Sequence, residues 1–294
     1  MSIFKGAGVA IVTPFKENGD INYEKFAEII EQQVQNGTDC IVVCGTTGEA
    51  ACLTEEEHLA AIKFCVEQVN HRIPVMAGTG SNSTKTAIYL SEEAEKVGVD
   101  ALLSVTPYYN KTTQQGLIAH FTDIAAAVNI PIVLYSVKSR TGVNIEPETV
   151  KALVDNVPNI VGIKEASGSM PQAEKIKSIC PDVELYSGDD EMTVPMMAVG
   201  GIGVISVVSN IAPRFVHDMC MKALNGDFAG AATMQLSELN LVEALFCETN
   251  PIPVKEAMNM MGMEVGPLRK PLVPMAEKNR EKLRQAMVEF GLLK

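Results

Sequence analysis

The chain has 294 residues, 47% hydrophobic and 20% charged, a globular composition sufficient for one large or two ordinary domains. Its net charge is −12 with no run of Lys or Arg, which excludes a nucleic-acid or anionic-membrane surface and predicts a soluble, self-repelling one. Met1 to Gly6 lacks the basic start and apolar run of a secretion signal, and seven cysteines without a C-x-x-C predict buried free thiols in a reducing cytoplasm.

Apolar, β-rich runs bounded by turn residues alternate with helical patterns along the chain. "GAGVAIVTP" (6–14) reads as the first strand, followed by a helix that places Phe26, Ile29, Ile30 and Val34 on one face and stops at Gly37. "CIVVCGTTG" (40–48) is the second. Its Cys40 and Cys44 are four apart and predicted on one face, but no His pair accompanies them, so zinc is not expected. The next helix opens on Thr54 with Glu57 three residues later, a capping box. "PVMAGTG" (74–80), "ALLSVTPYY" (101–109) and "PIVLYSV" (131–137) follow, with helical patterns opening at Ser83 and Thr113 between them. "IVGIKEASG" (160–168), "VELYSGDD" (183–190) and "GVISVVSN" (203–210) complete the set. Met192 to Pro213 carries no charge and mimics a membrane span. Its glycines divide it into an apolar helix and a buried strand, so no membrane crossing is expected.

Eight nearly continuous apolar strands, each followed by a helix, predict an α/β fold with a parallel sheet covered by helices. A closed (β/α)8 barrel over residues 1–225 fits that count. An open doubly wound sheet is the alternative, but "TPFKENGD" after the first strand is not a phosphate-binding fingerprint. Strand signals stop after Gly226. Residues 226–294 therefore read as a C-terminal helical domain, broken at "NPIPVKEAM" and "GPLRKPLVPM" and packed on the barrel, since no linker separates them.

In such barrels the chemistry sits at the C-terminal strand ends. Those ends carry Thr46, Thr47 and Glu49, then Tyr108 and Tyr109, then Tyr135, Arg140 and Thr141, then Lys164, then "SGDD" and, within the last strand, Ile205. Neither a Cys–His pair nor a carboxylate trio for a metal is among them. Lys164 ends an apolar strand. It reads either as a lysine that snorkels out and pairs with Glu165, or as a desolvated amine. Burial disfavours the ammonium form, and a neutral amine condenses with ketones to a Schiff base. The protonated imine acidifies the adjacent methyl group, and the resulting enamine attacks an aldehyde, with no cofactor or metal required. Tyr135, one strand away, is a core aromatic or a proton shuttle. Thr46 and Thr47 are plain turn residues or part of an anion-holding helix start. Arg140 is a surface residue or a fork for a carboxylate.

"GTTGE", "TPYYN", "SRTG", "GIKEASG" and "SGDD", in this order and at these spacings, resemble the dihydrodipicolinate synthase family over essentially the whole chain. The resemblance implies the barrel with its helical domain, a tetramer of two tight dimers, and condensation of pyruvate with L-aspartate 4-semialdehyde. It makes Lys164 the Schiff-base lysine and Tyr135 its proton donor and acceptor. Thr46 and Tyr109 complete a hydroxyl relay, with Tyr109 reaching in from the neighbouring subunit. Thr47 implies a ligand of the pyruvate carboxylate and Arg140 one of the semialdehyde carboxylate. Gly188 and Ile205 become backbone and wall positions. The same lysine chemistry serves N-acetylneuraminate lyase and the 2-keto-3-deoxy sugar acid aldolases, and a non-catalytic binding barrel is the remote rival. "SRTG" and the paired threonines favour the semialdehyde reaction.

Two departures from the family pattern stand out. Ser136 and Lys138 replace Asn and Pro around the fifth strand, which puts the loop carrying Arg140 in question. The family's lysine effector site maps onto Ala50, Glu55, His58, Asn82, Thr86 and Tyr108. Thr86 there removes an acidic partner, so inhibition by lysine is expected to be weak or absent.

Overall fold

The computed structural model describes residues 2–294. Eight strands close a parallel barrel in sequence order, β1 pairing with both β2 and β8. They are β1 (Gly6–Ala10), β2 (Cys40–Val43), β3 (Val75–Gly78), β4 (Ala101–Val105), β5 (Ile132–Ser136), β6 (Ile160–Glu165), β7 (Glu184–Ser187) and β8 (Gly203–Ser206). The helices between and after them are α1 (Tyr23–Gln35), α2 (Glu55–Val69), α3 (Thr84–Lys96), α4 (Gln114–Ala126), the single turn α5 (Lys138–Thr141) and α6 (Pro147–Asn156). Next come α7 (Met170–Ile179), α8 (Thr193–Ala198), α9 (Pro213–Leu224), α10 (Phe228–Leu245), α11 (Ile252–Met260) and α12 (Glu277–Phe290).

The strands are apolar throughout because both of their faces are buried. Alternate residues go to two cores. Cys40, Val42, Met76, Leu103, Val133 and Tyr186 fill the barrel, while Ile41, Val43, Leu102, Leu134 and Leu185 pack outward against the helices. Phe4 plugs the interior from the N-terminal side. Its ring stacks on Tyr186 with centroids 4.5 Å apart, and the Tyr186 hydroxyl donates to Glu184 Oε2 at 2.8 Å.

The capping box of α2 forms as its sequence predicts: Thr54 Oγ1 accepts from Glu57 N and Thr54 N donates to Glu57 Oε2. Two local expectations fail. Cys40 and Cys44 do not share a face, because the backbone turns left-handed at Cys44 (φ 56°) and sends its side chain into the outer core. On α1 the buried face contains Gln33 where Val34 was expected. Gln33 is buried because its amide is satisfied: it donates to the Ser209 carbonyl (2.8 Å) and accepts from Thr38 Oγ1 (2.6 Å).

The uncharged stretch 192–213 is indeed cut into α8 and β8, and no helix among the described residues is long and apolar enough to cross a membrane. The helices α10–α12 lie against the barrel and not apart from it. Lys255 of α11, almost wholly buried, donates to Glu49 Oε1 (2.9 Å), to the Thr13 carbonyl and to the Pro267 carbonyl. All three ammonium hydrogens thus have acceptors, and the Phe15 ring lies 4.4 Å from Nζ. Such a pair is tolerated in the interior only with every donor satisfied.

Candidate active site

The C-terminal strand ends surround a cavity of about 160 Å³ lined by Thr46, Thr47, Tyr135, Arg140, Lys164, Gly188, Asp189 and Asn250, among others. β6 explains how a lysine enters it. Alternation turns Lys164 and Ala166 inward and Ile163 and Glu165 outward. Glu165 therefore cannot pair with Lys164. It is buried on the far side, accepting from Ser167 N and Gln172 Nε2 at 2.8 Å each. The snorkelling alternative fails as well, since Lys164 is only 6% exposed.

Lys164 and Tyr135 are register partners across β6 and β5, and Lys164 Nζ stands 4.4 Å from the Tyr135 ring centroid. Opposite them, Gly188 closes on the lysine stem. A Cβ there would lie 3.0 Å from Lys164 Cε and 2.6 Å from the Ala166 Cβ, so only glycine leaves both side chains in place.

The threonine turn is fixed from the far end of the chain. Thr47 is buried, and its Oγ1 accepts from Asn250 Nδ2 at 2.9 Å. The Asn250 carbonyl accepts from Arg140 Nη2 at 3.1 Å, and its own Oδ1 is buried without a partner. One residue beyond the barrel thus aligns a hydroxyl and a guanidinium on one wall.

The loop carrying Arg140 is ordered by substitutes for the expected proline. Ser136 Oγ donates to Asn144 Oδ1 and accepts from Ile145 N (3.2 Å), and α5 closes with Gly142 N on the Lys138 carbonyl. Lys138 itself is exposed.

The "SGDD" loop divides its two carboxylates. Asp190 is wholly structural: Oδ2 accepts from Val207 N and Val208 N, and its carbonyl accepts from Gln235 Nε2 of α10. Asp189 lines the cavity. Burial pushes its carboxyl up to about 6, with the Lys164 charge acting in the opposite direction.

Other expected residues fall elsewhere. Ile205 is fully buried in the barrel interior, opposite Gly8, and does not line the cavity. Tyr109 is 93% exposed, on a backbone with φ 68°, away from the cavity of its own chain. A second, larger cavity of about 630 Å³ shares Thr46, Tyr135, Arg140 and Asn250 with the first and extends over Ala50, Glu55, His58, Thr86 and Tyr108. Asn82 lies outside its lining and accepts from Asn110 Nδ2 through its carbonyl. Asp189 and Asn250 were missed as site residues. Asp189 is indistinguishable in sequence from its acidic neighbour Asp190, and Asn250 lies in a Pro-rich segment whose local pattern signals only a helix break.

Comparison with known proteins identifies the family and the fold. A model of the dihydrodipicolinate synthetase family matches residues 3–289. The chain is 55% identical over 294 residues to a 4-hydroxy-tetrahydrodipicolinate synthase of Lachnoclostridium phytofermentans, covering 100% of both. It is 56% identical over 292 residues to one of Acetivibrio thermocellus, covering 99% of both. Among solved structures, dihydrodipicolinate synthase from Aquifex aeolicus superposes with a TM-score of 0.96 at 46% identity, covering 98% of this chain and 99% of that one. The Thermotoga maritima enzyme gives 0.96 at 41% identity, covering 99% and 100%.

Proposed function

The chain belongs to the dihydrodipicolinate synthetase family, and on that premise we propose that it joins pyruvate to L-aspartate 4-semialdehyde through a Schiff base on Lys164. It is an enzyme of the lyase type; its relatives are named 4-hydroxy-tetrahydrodipicolinate synthase, and the reaction proposed for this chain is that step of lysine and diaminopimelate synthesis. The observation that carries the reading is a buried lysine amine over the Tyr135 ring, at the mouth of a closed barrel and facing a cavity.

The roles follow from chemistry. Lys164 attacks the pyruvate ketone, and water leaves to give the imine. Tyr135 moves protons to and from the forming bonds, aided by Thr46 and by Tyr109 of a neighbouring copy. Two features support the last part: Tyr109 is a fully presented phenol, and a left-handed backbone at a non-glycine residue is strain that persists where function holds it. Thr47 receives the pyruvate carboxylate, steadied by Asn250, and Arg140 the semialdehyde carboxylate. Gly188 gives the lysine stem its space, and Ile205 supports the floor below. The enamine adds to the aldehyde, and the substrate amine then displaces Lys164 and closes the ring.

The same proposal includes a tetramer of two tight dimers in the cytoplasm. It takes residues 1–225 as the catalytic barrel and residues 226–294 as the helical domain. Residues Ala50, Glu55, His58, Asn82, Thr86 and Tyr108 form a weakened effector region. Borohydride reduction in the presence of pyruvate, read by peptide mass, tests the core of it. An adduct on Lys164 is expected, and folded protein without one would refute the Schiff base.

A further inference from the structure

Lys255 lines neither cavity, yet it is the hub of a buried polar cluster beside the threonine turn. Its three acceptors come from three segments. They are the Thr13 carbonyl after β1, Glu49 Oε1 in the turn after β2, and the Pro267 carbonyl between α11 and α12. The other carboxylate oxygen of Glu49 accepts from Arg269 N at 2.9 Å. Arg269 also grips the far end of the same loop, where its guanidinium donates to the Cys52 carbonyl and to the Glu57 carboxylate. The two side chains of the ion pair are shielded from solvent, at 1% and 0% exposure.

An ion pair so buried is a poor source of stability. Desolvation of the two charges offsets their attraction, and apolar side chains of like volume serve as well. What it supplies is direction. Three ammonium donors and two carboxylate oxygens fix one arrangement of the segments they join. That arrangement carries strain: Glu49 has a left-handed backbone, φ 53°, which a non-glycine residue keeps only where its surroundings hold it. Both barrel partners of Lys255 also touch the turn itself. Glu49 N donates to the Thr46 carbonyl at 3.0 Å, and Thr13 Oγ1 donates to the Gly48 carbonyl at 2.7 Å. The backbone is thus held on either side of Thr47.

We propose that Lys255 is a positioning residue for the pyruvate end of the site. Through Glu49 and Thr13 it sets the Thr46–Gly48 backbone, and with it the two hydroxyls assigned to the proton relay and to the pyruvate carboxylate. This rests on the Schiff-base reading above. Arg140 lies outside the device, because its guanidinium is tied to the Asn250 carbonyl. The device therefore acts on the first substrate and not on the second.

The test separates positioning from stability. Lys255→Met alone leaves Glu49 buried without its cation and is expected to lower the melting temperature. Combining it with Glu49→Gln removes both charges and keeps an acceptor for Arg269 N, so the melting temperature is expected to return close to that of the parent. In the double variant the pyruvate KM is still expected to be raised about tenfold and borohydride trapping of pyruvate to be slowed about as much, while the semialdehyde KM changes less than about twofold. A double variant with parental pyruvate KM and trapping would show the pair to be structural only, and an equal rise in both KM values would refute a device confined to the pyruvate end. Should K255M/E49Q not fold, E49Q alone is read in the same assays, with the same split expected and the same outcomes against it. A missing borohydride adduct in the unaltered protein would instead sink the Schiff-base reading, so the two failures are distinguishable.

Discussion

Lys164 and Tyr135 face each other across the β5–β6 pair, with the amine 4.4 Å from the centre of the phenol ring. The ring supplies a surface for the amine, and in the proposed reaction the hydroxyl would supply the proton. Tyr135→Phe separates these two services. The packing is retained, so melting temperature is expected to stay close to that of the parent. Proton transfer is lost, so kcat is expected to fall about 10²- to 10⁴-fold, read from turnover and from the rate of imine trapping. A turnover unchanged by the substitution would remove Tyr135 from the relay.

Gly188→Ala tests the space for the lysine stem. The added methyl would stand 3.0 Å from Lys164 Cε and 2.6 Å from the Ala166 Cβ, so something must move. Overpacking of this kind costs about 1–3 kcal/mol of stability. The larger effect is expected on borohydride trapping of pyruvate, because the displaced atoms carry the nucleophile. A stable variant with normal trapping would show that the lysine can be repositioned freely.

Asn250→Ala tests whether the far end of the chain serves the site. It removes the donor to Thr47 Oγ1 but leaves the backbone carbonyl that accepts from Arg140. Pyruvate KM is expected to rise about tenfold, the scale of one hydrogen bond, with a smaller effect on the semialdehyde. The opposite split would transfer Asn250's role from Thr47 to Arg140.

The barrel was legible because burial on both faces writes a strand as a continuous apolar run, and eight such runs with helices between them leave few topologies. Lys164 was legible only in company: alone it also reads as a strand-end lysine that snorkels out, and the hydroxyls and guanidinium at the neighbouring strand ends, with the family resemblance, singled it out. What could not be read depends on contacts across the chain. Asn250 meets Thr47, and Lys255 meets Glu49, from about 200 residues away, and local pattern carries no trace of either pairing. Asp189 and Asp190 are adjacent and alike in sequence, yet only the fold shows one latching a loop and the other facing the cavity. Cys44 was misplaced because a single left-handed residue ends the strand alternation.

Glu238 predicts a pH effect on stability. It is fully buried on α10, accepts from Gln235 Nε2, and has an oxygen without a partner. Burial first, and then the nearby Asp190 carboxylate, push its carboxyl up to about 9. Asp190 is itself pushed up by burial, and the buried Cys220 thiol is raised chiefly by burial, with Glu238 contributing. A folded pKa above the unfolded one means that stability is fully present below the unfolded value. It is then lost progressively as pH rises through about 9. Glu238→Gln keeps the hydrogen-bonding shape without the titration. Its melting temperature, relative to the parent, is expected to climb between pH 5 and pH 9, and a difference independent of pH would exclude Glu238 as the cause.

Lysine is expected to be a poor inhibitor, and the larger cavity gives the physical reason. A dibasic amino acid needs acidic partners for its side-chain ammonium. Two carboxylates line this cavity among the described residues, and Glu49 is already bound by Lys255 and by Arg269 N. Glu55 remains, but it is exposed, where a single ion pair contributes little. His58 adds no negative charge: burial lowers its pKa, and its Nε2 donates to the Gly78 carbonyl at 2.7 Å. Thr86 presents a hydroxyl where a carboxylate would complete the site. Turnover at saturating pyruvate should therefore be insensitive to sub-millimolar lysine, and Thr86→Glu should introduce inhibition by adding a partly enclosed anion. Half-inhibition of the unaltered enzyme at sub-millimolar lysine would show that polar and backbone groups alone bind the effector, and T86E without any gain would show that the cavity lacks the shape for it.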